Sequence, residues 1–201
     1  MTARPEQQEG AAEAAPTSSG AGVAEAFMTA FRHHPAGVAI ITADPGDGPV
    51  ALTVSSLISV SATPPTVAFS LSDNSSSAGV VRRAETVVVH FVRRSDMDLA
   101  RLCATGGKDR FGPDVRWARL ETGEPYYPGI GLWFRAAIRG RFAVPGACLV
   151  SAELLEVSPD ALTSHRDDPL IYANRAWHGL KPIADAGRAP LLLWPDDSAT
   201  F

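Results

Sequence analysis

Short apolar runs rich in β-branched residues, separated by clusters of turn residues, recur through the middle of the chain. Residues 37–42 (GVAIIT), 66–71 (TVAFSL) and 86–92 (TVVVHFV) are typical of β-strands. Residues 44–49 (DPGDGP) predict a hairpin turn, because Asp and Gly tolerate the backbone angles that such a turn needs. We therefore predict an all-β-dominated fold, a barrel or sandwich with a few short helices.

The remaining segments extend this pattern. Further strands are predicted over residues 50–60, 131–144, 149–158 and 170–177. Helices are predicted over residues 23–33, 77–83 and 97–104, with Asp96 as a cap of the last of these.

A chain of 201 residues has room for one domain. Residues 1–22 hold no aromatic side chain and are rich in Ala, Glu, Gln, Gly, Pro, Ser and Thr, so we expect a disordered N-terminal tail. The folded domain is expected over residues 23–181. Residues 182–201 form a C-terminal extension, whose apolar residues 191–194 we expect to dock on the barrel or on a partner subunit.

Charge and composition exclude several classes of function. The formal net charge of −4, without a run of Lys and Arg, argues against a nucleic-acid partner. No apolar run is long enough to cross a bilayer and no signal pattern begins the chain, so we expect a cytoplasmic protein. Cys103 and Cys148 have no second ligand at metal spacing, which indicates buried thiols and no metal site.

Three polar features could form a binding site. Residues 51–65 place the hydroxyls of Thr53, Ser55, Ser56, Ser59 and Ser61 along an otherwise apolar segment, which is equally typical of a strand with one solvated face. Ser70 and residues 72–77 (SDNSSS) precede a predicted helix, where they would present N–H and hydroxyl groups to a phosphate or simply cap the helix. Residues 108–111 (KDRF), flanked by glycines, suit an anion beside a flat ring, or an ordinary surface loop.

The order of these features along the chain resembles the flavin reductase-like, FMN-binding split-barrel family. The matching segments are 35–38 (PAGV), 53–56 (TVSS), 59–61 (SVS) with Pro64 and Pro65, 75–77 (SSS), 109–111 (DRF) and 168–170 (DPL) with Tyr172. The resemblance extends from about Phe27 to Leu180, which is most of the predicted domain.

The resemblance implies a split β-barrel that binds FMN or FAD, with NAD(P)H as a candidate electron donor. By that resemblance Thr53, Val54, Ser55 and Ser56 would run along the isoalloxazine ring, whereas Ser70, Asn74, Ser75, Ser76 and Ser77 would contact the phosphate end. Arg110 and Phe111 would approach the cofactor. The flavin would carry the redox chemistry, so the protein has to bind, orient and tune it. Implied partners are a second copy of the chain, as a homodimer, and a monooxygenase that receives reduced flavin.

One departure from the family pattern bears on the reaction. Members that use a nicotinamide donor commonly carry Gly-Asp-His on a late strand, where this chain has Gly146, Ala147 and Cys148. We therefore expect slow reduction by NADH, with His178 as the candidate substitute for the missing histidine. Two alternatives to an NAD(P)H:flavin reductase stay open, a flavin carrier or accessory subunit without turnover, and a split-barrel enzyme that acts on another substrate with bound FMN.

Overall fold

The computed structural model describes residues 20–159, 161 and 168–180. The expected tail up to residue 19, His165 and the C-terminal extension with residues 191–194 lie outside the described residues. The chain divides into two compact units, Met1–His34 and Pro35–Phe201. In the described part, no helix is long and apolar enough to span a membrane.

The first unit contains helix α1 (Gly20–His33), which begins three residues before the start predicted from the sequence. Val23, Phe27 and Phe31 recur at helical spacing and are exposed, and the rings of the two phenylalanines lie 4.5 Å apart. Arg32 and His33 occupy the last turn, where positive charge complements the helix dipole.

The second unit is built on a large antiparallel sheet. Its strands are β2 (Ala39–Ala43), β3 (Val50–Val54), β4 (Ile58–Ala62), β5 (Pro65–Ser72), β6 (Thr86–Phe91), β9 (Trp133–Val144) and β10 (Ala147–Val157). Their spatial order is β3-β2-β6-β9-β10-β5-β4. A second sheet contains β1 (Ala36–Gly37), β11 (Leu170–Ala173) and β12 (Ala176–Gly179), and a short pair contains β7 (Ala118–Arg119) and β8 (Pro125–Tyr126). The predicted strand-dominated fold is confirmed.

Two predicted strands are each divided in the structure. Residues 50–60 form β3, which pairs with β2, and β4, which pairs with β5. Ser56 lies at the break, and its hydroxyl oxygen accepts a hydrogen bond from the Ser70 N–H at 2.9 Å. Residues 170–177 fall in a hairpin, whose turn residues Asn174 and Arg175 have φ of 50° and 59°.

Two short helices cover the sheet beside the candidate site. Helix α2 (Ala78–Arg83) buries Ala78 and Val81 in a core cluster that also contains Phe69 and Leu71. Helix α3 (Met97–Ala104) buries Ala100 and Cys103 in a second cluster. The Thr53 hydroxyl donates to the Ala100 carbonyl at 2.7 Å, which joins β3 to α3. The Asp96 side chain does not cap α3, because its carboxylate accepts the Arg93 N–H one turn earlier.

Candidate functional site

A cavity of about 500 Å³ opens where the end of β3, the loop before α2 and the end of α3 meet. Most of its lining residues are small and polar, and one is a cation. They are Leu52, Thr53, Val54, Ser55, Ser56, Ser70, Ser72, Asn74, Ser75, Ser76, Cys103, Ala104, Gly106, Gly107 and Arg110. Its volume and donor set suit an elongated anionic ligand.

Nine of the eleven residues predicted to bind a cofactor line this cavity. They are Thr53, Val54, Ser55, Ser56, Ser70, Asn74, Ser75, Ser76 and Arg110. The fold thus brings together three segments that are well separated in sequence. Sequence reasoning did not single out Cys103 and Ala104 for the site; both come from the last turn of α3, which carries no binding motif.

Arg110 is the cation in the cavity wall. Its guanidinium donates from Nη1 to the Ser77 hydroxyl oxygen and from Nη2 to the Thr105 carbonyl, each at 2.9 Å. Its Nε is buried and has no hydrogen-bond partner in the part of the chain that the structure describes. A planar guanidinium held in this way can present its charge to a phosphate.

Ser77 does not line the cavity, and its hydroxyl oxygen instead accepts a hydrogen bond from the Arg110 guanidinium. Its side chain is buried, and its hydroxyl donates to the Ala51 carbonyl on β3 at 3.1 Å. The hydroxyl hydrogen is thereby used, so the oxygen accepts from Arg110. Ser77 therefore links the end of the serine loop, strand β3 and the cavity's cation.

Phe111 also lies outside the cavity lining. Its ring stacks on Tyr127 with a centroid distance of 5.6 Å and an interplanar angle of 12°, and it meets the edge of Trp117 at 5.1 Å. Phe111 thus packs the Arg110 loop onto the body of the domain. Tyr127 is fully buried, and its hydroxyl donates to the Arg110 carbonyl at 3.0 Å.

Two buried titratable groups lie beside this loop. Burial lowers the pKa of His90 to about 4, so its imidazole is neutral at physiological pH. Its Nε2 accepts the Tyr127 N–H and its Nδ1 donates to the Ile40 carbonyl, both at 3.1 Å. Burial raises the pKa of Cys103 to about 11, so the cavity faces a neutral thiol there.

A second cavity of about 260 Å³ adjoins the first. The two share Thr53, Ser55 and Ala104, and the second adds Val38, Tyr172 and Trp177. The rings of Tyr172 and Trp177 meet edge to face at 5.1 Å. This smaller cavity is therefore walled by aromatic and apolar groups, which suits a flat ring.

Two further residues singled out from the sequence lie outside both cavity linings. His178 is exposed, and its Nε2 lies 3.1 Å from the Ala173 carbonyl oxygen, although its neighbour Trp177 lines the smaller cavity. Cys148 pairs with Leu71 and is packed in the barrel core at 6 % exposure. Its neighbour Ala147 pairs with Ser72, a residue of the larger cavity.

The antiparallel barrel has a hydroxyl-rich cavity at its edge, and the cavity wall carries an arginine. These features are typical of a β-barrel that binds a cofactor. Residues 31–181 match the model of the flavin reductase like domain. The chain is 33% identical to an NADH:FMN oxidoreductase of Rhodococcus qingshengii over 157 residues, which are 78% of this chain and 82% of that protein. It is 29% identical to the FMN reductase (NADH) SmoA of Agrobacterium fabrum, over 75% of this chain and 83% of that one.

Comparison with a solved structure also indicates a flavin reductase fold. The flavin reductase domain protein of Arthrobacter sp. FB24 superimposes with a TM-score of 0.73 at 28% identity, over 80% of this chain and 97% of that chain. This protein therefore belongs to the flavin reductase-like family. The family resemblance, the split-barrel fold and the assignment as a flavin reductase-type oxidoreductase that uses FMN or FAD and NAD(P)H are confirmed.

Proposed function

We propose that the two adjoining cavities are the site at which this protein reduces FMN or FAD with NAD(P)H as the hydride donor. The observation that carries the proposal is Arg110, a cation fixed in the wall of a hydroxyl-lined cavity within the region that matches the family. The two relatives are named as an NADH:FMN oxidoreductase and an NADH-dependent FMN reductase, which favours NADH and FMN as the first pair to test.

The larger cavity fits a phosphorylated flavin. Arg110 has a buried Nε without a partner among the described residues, so its capacity to donate hydrogen bonds is not exhausted. Ser75 and Ser76 add hydroxyls on the same wall. These three residues would hold the phosphate, supported from behind by Ser77.

The ring end of the flavin would lie along residues 53–56. The Thr53 hydroxyl is committed to Ala100, and the Ser56 hydroxyl is engaged by Ser70, so these side chains shape the wall. Ser55 is exposed and lines both cavities, which makes it the hydroxyl best placed for the polar edge of the ring. When bound, the flavin accepts a hydride and passes its electrons on, and the protein's part is binding and orientation.

The smaller cavity supplies a place for the donor. A nicotinamide ring against Tyr172 and Trp177 would lie next to a flavin ring along Ser55, because the two cavities share that residue. Exposed His178 follows Trp177 and is the candidate catalytic contact to the donor. We propose a cytoplasmic location for the reaction, where NAD(P)H is present, and two free buried cysteines fit such a reducing compartment.

We further propose that the protein is a homodimer. Leu149 pairs with both Phe142 and Ser70, and Val144 pairs with Ala147, so these apolar residues share the sheet face that carries Ser70 and Ser72. Phe142 is 67% exposed, and Leu149 and Val144 are exposed beside it. A second copy would cover this apolar face next to the flavin cavity. Reduced flavin released from the cavity would serve a separate monooxygenase.

A flavin carrier or accessory subunit is the second candidate. It is favoured by one observation, the core thiol Cys148 at the position where nicotinamide-using members carry the histidine of Gly-Asp-His. The third alternative, an enzyme that acts on another substrate with bound FMN, has no comparable feature among the described residues.

Flavin titration tests the proposed site. FMN added to the purified protein should show quenched or shifted emission at micromolar concentration. Arg110→Ala should weaken FMN binding roughly tenfold to a hundredfold, because a hydrogen bond to a charged group contributes about 1.5–3 kcal/mol. Ser59→Ala, on exposed strand β4 outside both cavity linings, is the matched control and should bind as the unchanged protein does. Absence of FMN and FAD binding at high micromolar concentration would refute the proposal.

A further inference from the structure

The Arg110 loop has little regular structure of its own. It follows α3, contains Gly106 and Gly107, and reaches the domain body again only at residues 111–117. The guanidinium of Arg110 is held by Ser77 and Thr105, but its position also depends on where the backbone of the loop lies. A loop rich in glycine would sample many such positions without an anchor.

Tyr127 supplies that anchor through its hydroxyl and its ring. The hydroxyl donates to the carbonyl of Arg110 itself at 3.0 Å. The ring stacks on Phe111, the next residue of the loop, at 5.6 Å and nearly parallel. Tyr127 thus contacts the loop at two consecutive residues, and it does not line the larger cavity.

The anchor is itself fixed in the core. Tyr127 is fully buried, and its backbone N–H donates to Nε2 of His90 at 3.1 Å. Neutral His90 donates from Nδ1 to the Ile40 carbonyl on β2. A continuous series of hydrogen bonds therefore runs from the central sheet through His90 and Tyr127 to the backbone of Arg110.

We infer that Tyr127 is a positioning residue that gives the site its preference for phosphorylated flavins over riboflavin. The inference rests on the proposed flavin site. Arg110 is the group that distinguishes a phosphate from a hydroxyl, and the Tyr127 hydroxyl donates to the Arg110 carbonyl. The same hydroxyl lies 3.6 Å from Sγ of Cys103, a neutral group of the cavity wall that does not discriminate between the two flavins. Loss of the Tyr127 hydroxyl should consequently weaken binding of the phosphate and leave binding of the ring unchanged.

The test compares FMN with riboflavin by fluorescence titration of Tyr127→Phe. This change keeps the ring stacked on Phe111 and removes the hydrogen bond to the Arg110 carbonyl together with the longer contact to Cys103 Sγ. We expect FMN affinity to fall roughly three- to tenfold, the loss typical of one hydrogen bond, and riboflavin affinity to stay unchanged. In an Arg110→Ala background the same change should cause no further loss, because the two residues act in series.

Tyr126→Phe is the matched control, because the Tyr126 ring packs on Trp133 and not on the Arg110 loop. This variant should have the same ratio of FMN affinity to riboflavin affinity as the unchanged protein. If Tyr127→Phe does not fold, Phe111→Leu removes the stacking partner and should lower the same ratio. Equal weakening of both flavins, or no change in either, would overturn the inference while leaving the flavin site intact. Failure of the unchanged protein to bind either flavin would instead refute the proposed function.

Discussion

Nη1 of Arg110 lies 2.9 Å from the hydroxyl oxygen of Ser77, so the loop after α3 and the start of α2 meet through one charge-assisted hydrogen bond. Ser77 is buried and bonded to β3 as well, through the Ala51 carbonyl. Three segments of the chain therefore converge on the cation of the candidate site.

Removal of the Ser77 hydroxyl should weaken the proposed phosphate contact. In Ser77→Ala the guanidinium keeps its bond to the Thr105 carbonyl but loses its partner at the end of the serine loop, so we expect FMN affinity to fall roughly three- to tenfold. Ser95→Ala, at an exposed serine whose hydroxyl donates to the neighbouring Asp96 carboxylate, is the control. Equal FMN affinities for both variants in a fluorescence titration would show that Ser77 does not position Arg110.

His90 should make stability depend on pH. Burial lowers its folded-state pKa to about 4, whereas the unfolded value is about 6.5. Above pH about 6.5 both states hold neutral His90 and the residue contributes no pH dependence. As the pH falls from about 6.5 to about 4, the unfolded state takes up a proton that the folded state does not, so the free energy of unfolding should drop by roughly 3 kcal/mol.

His90→Gln isolates this effect, because Gln cannot titrate and its carbonyl oxygen can accept the Tyr127 N–H. Chemical denaturation at several pH values measures both proteins. The difference between their unfolding free energies should change steadily between pH about 6.5 and about 4 and should be constant outside this range. A constant difference would mean that His90 is accessible to protons in the folded state.

Two arginines of β9 form ion pairs with glutamates outside that strand, and the two pairs should differ in their contribution to stability. Arg135 and Glu124 are both largely buried and lie 2.7 Å apart, whereas Arg139 and Glu153 have the same separation at a more exposed place. Burial by itself would raise the pKa of Glu124, but hydrogen bonds from Thr122, Thr86 and Arg135 hold it below the usual value.

Arg135→Ala leaves the Glu124 carboxylate buried without its cation and should lower the free energy of unfolding by about 3 kcal/mol or more. Arg139→Ala is the matched control and should cost less than about 1 kcal/mol, since water screens the exposed pair. Urea denaturation of the two variants gives both values. Similar losses of unfolding free energy in the two variants would show that the burial of Glu124 does not increase the contribution of its ion pair to stability.

The proposed dimer depends on the apolar sheet face beside the cavity. Phe142→Asp combined with Leu149→Asp places two charges on that face and should convert the dimer to a monomer in light scattering at micromolar concentration. Arg101→Ala, at an exposed position of α3, should remain dimeric. A monomeric unchanged protein would refute the homodimer, and a dimeric double variant would place the interface elsewhere.

The strands were predictable because their signals are local. Alternation and β-branched residues indicated β5, β6 and β10 with small errors at their ends. The division of residues 50–60 was not predictable, since the whole run is compatible with a strand. The break depends on the hydrogen bond between Ser56 and Ser70, which are brought together only by the fold.

The polar part of the candidate site was also predictable from the sequence, because a run of serines and an arginine between glycines are recognisable from residue types alone. The apolar part was not. Tyr172 and Trp177 line the smaller cavity because β11 and β12 fold back as a hairpin, and Cys103 reaches the larger one through the orientation of α3. Phe111 was expected at the cofactor, yet it packs on Tyr127 and Trp117, which its own segment does not reveal.

Anaerobic reduction of the FMN-loaded protein by NADH tests the central claim most directly. We predict that NADH bleaches the visible absorbance of the flavin in a stopped-flow experiment. The rate should saturate only at high NADH concentration, because Ala147 and Cys148 provide no counterpart of the Asp-His pair. Dithionite should bleach the same sample completely. A flavin that binds and is reduced by dithionite, but by neither NADH nor NADPH, would contradict the reductase and establish the flavin carrier in its place.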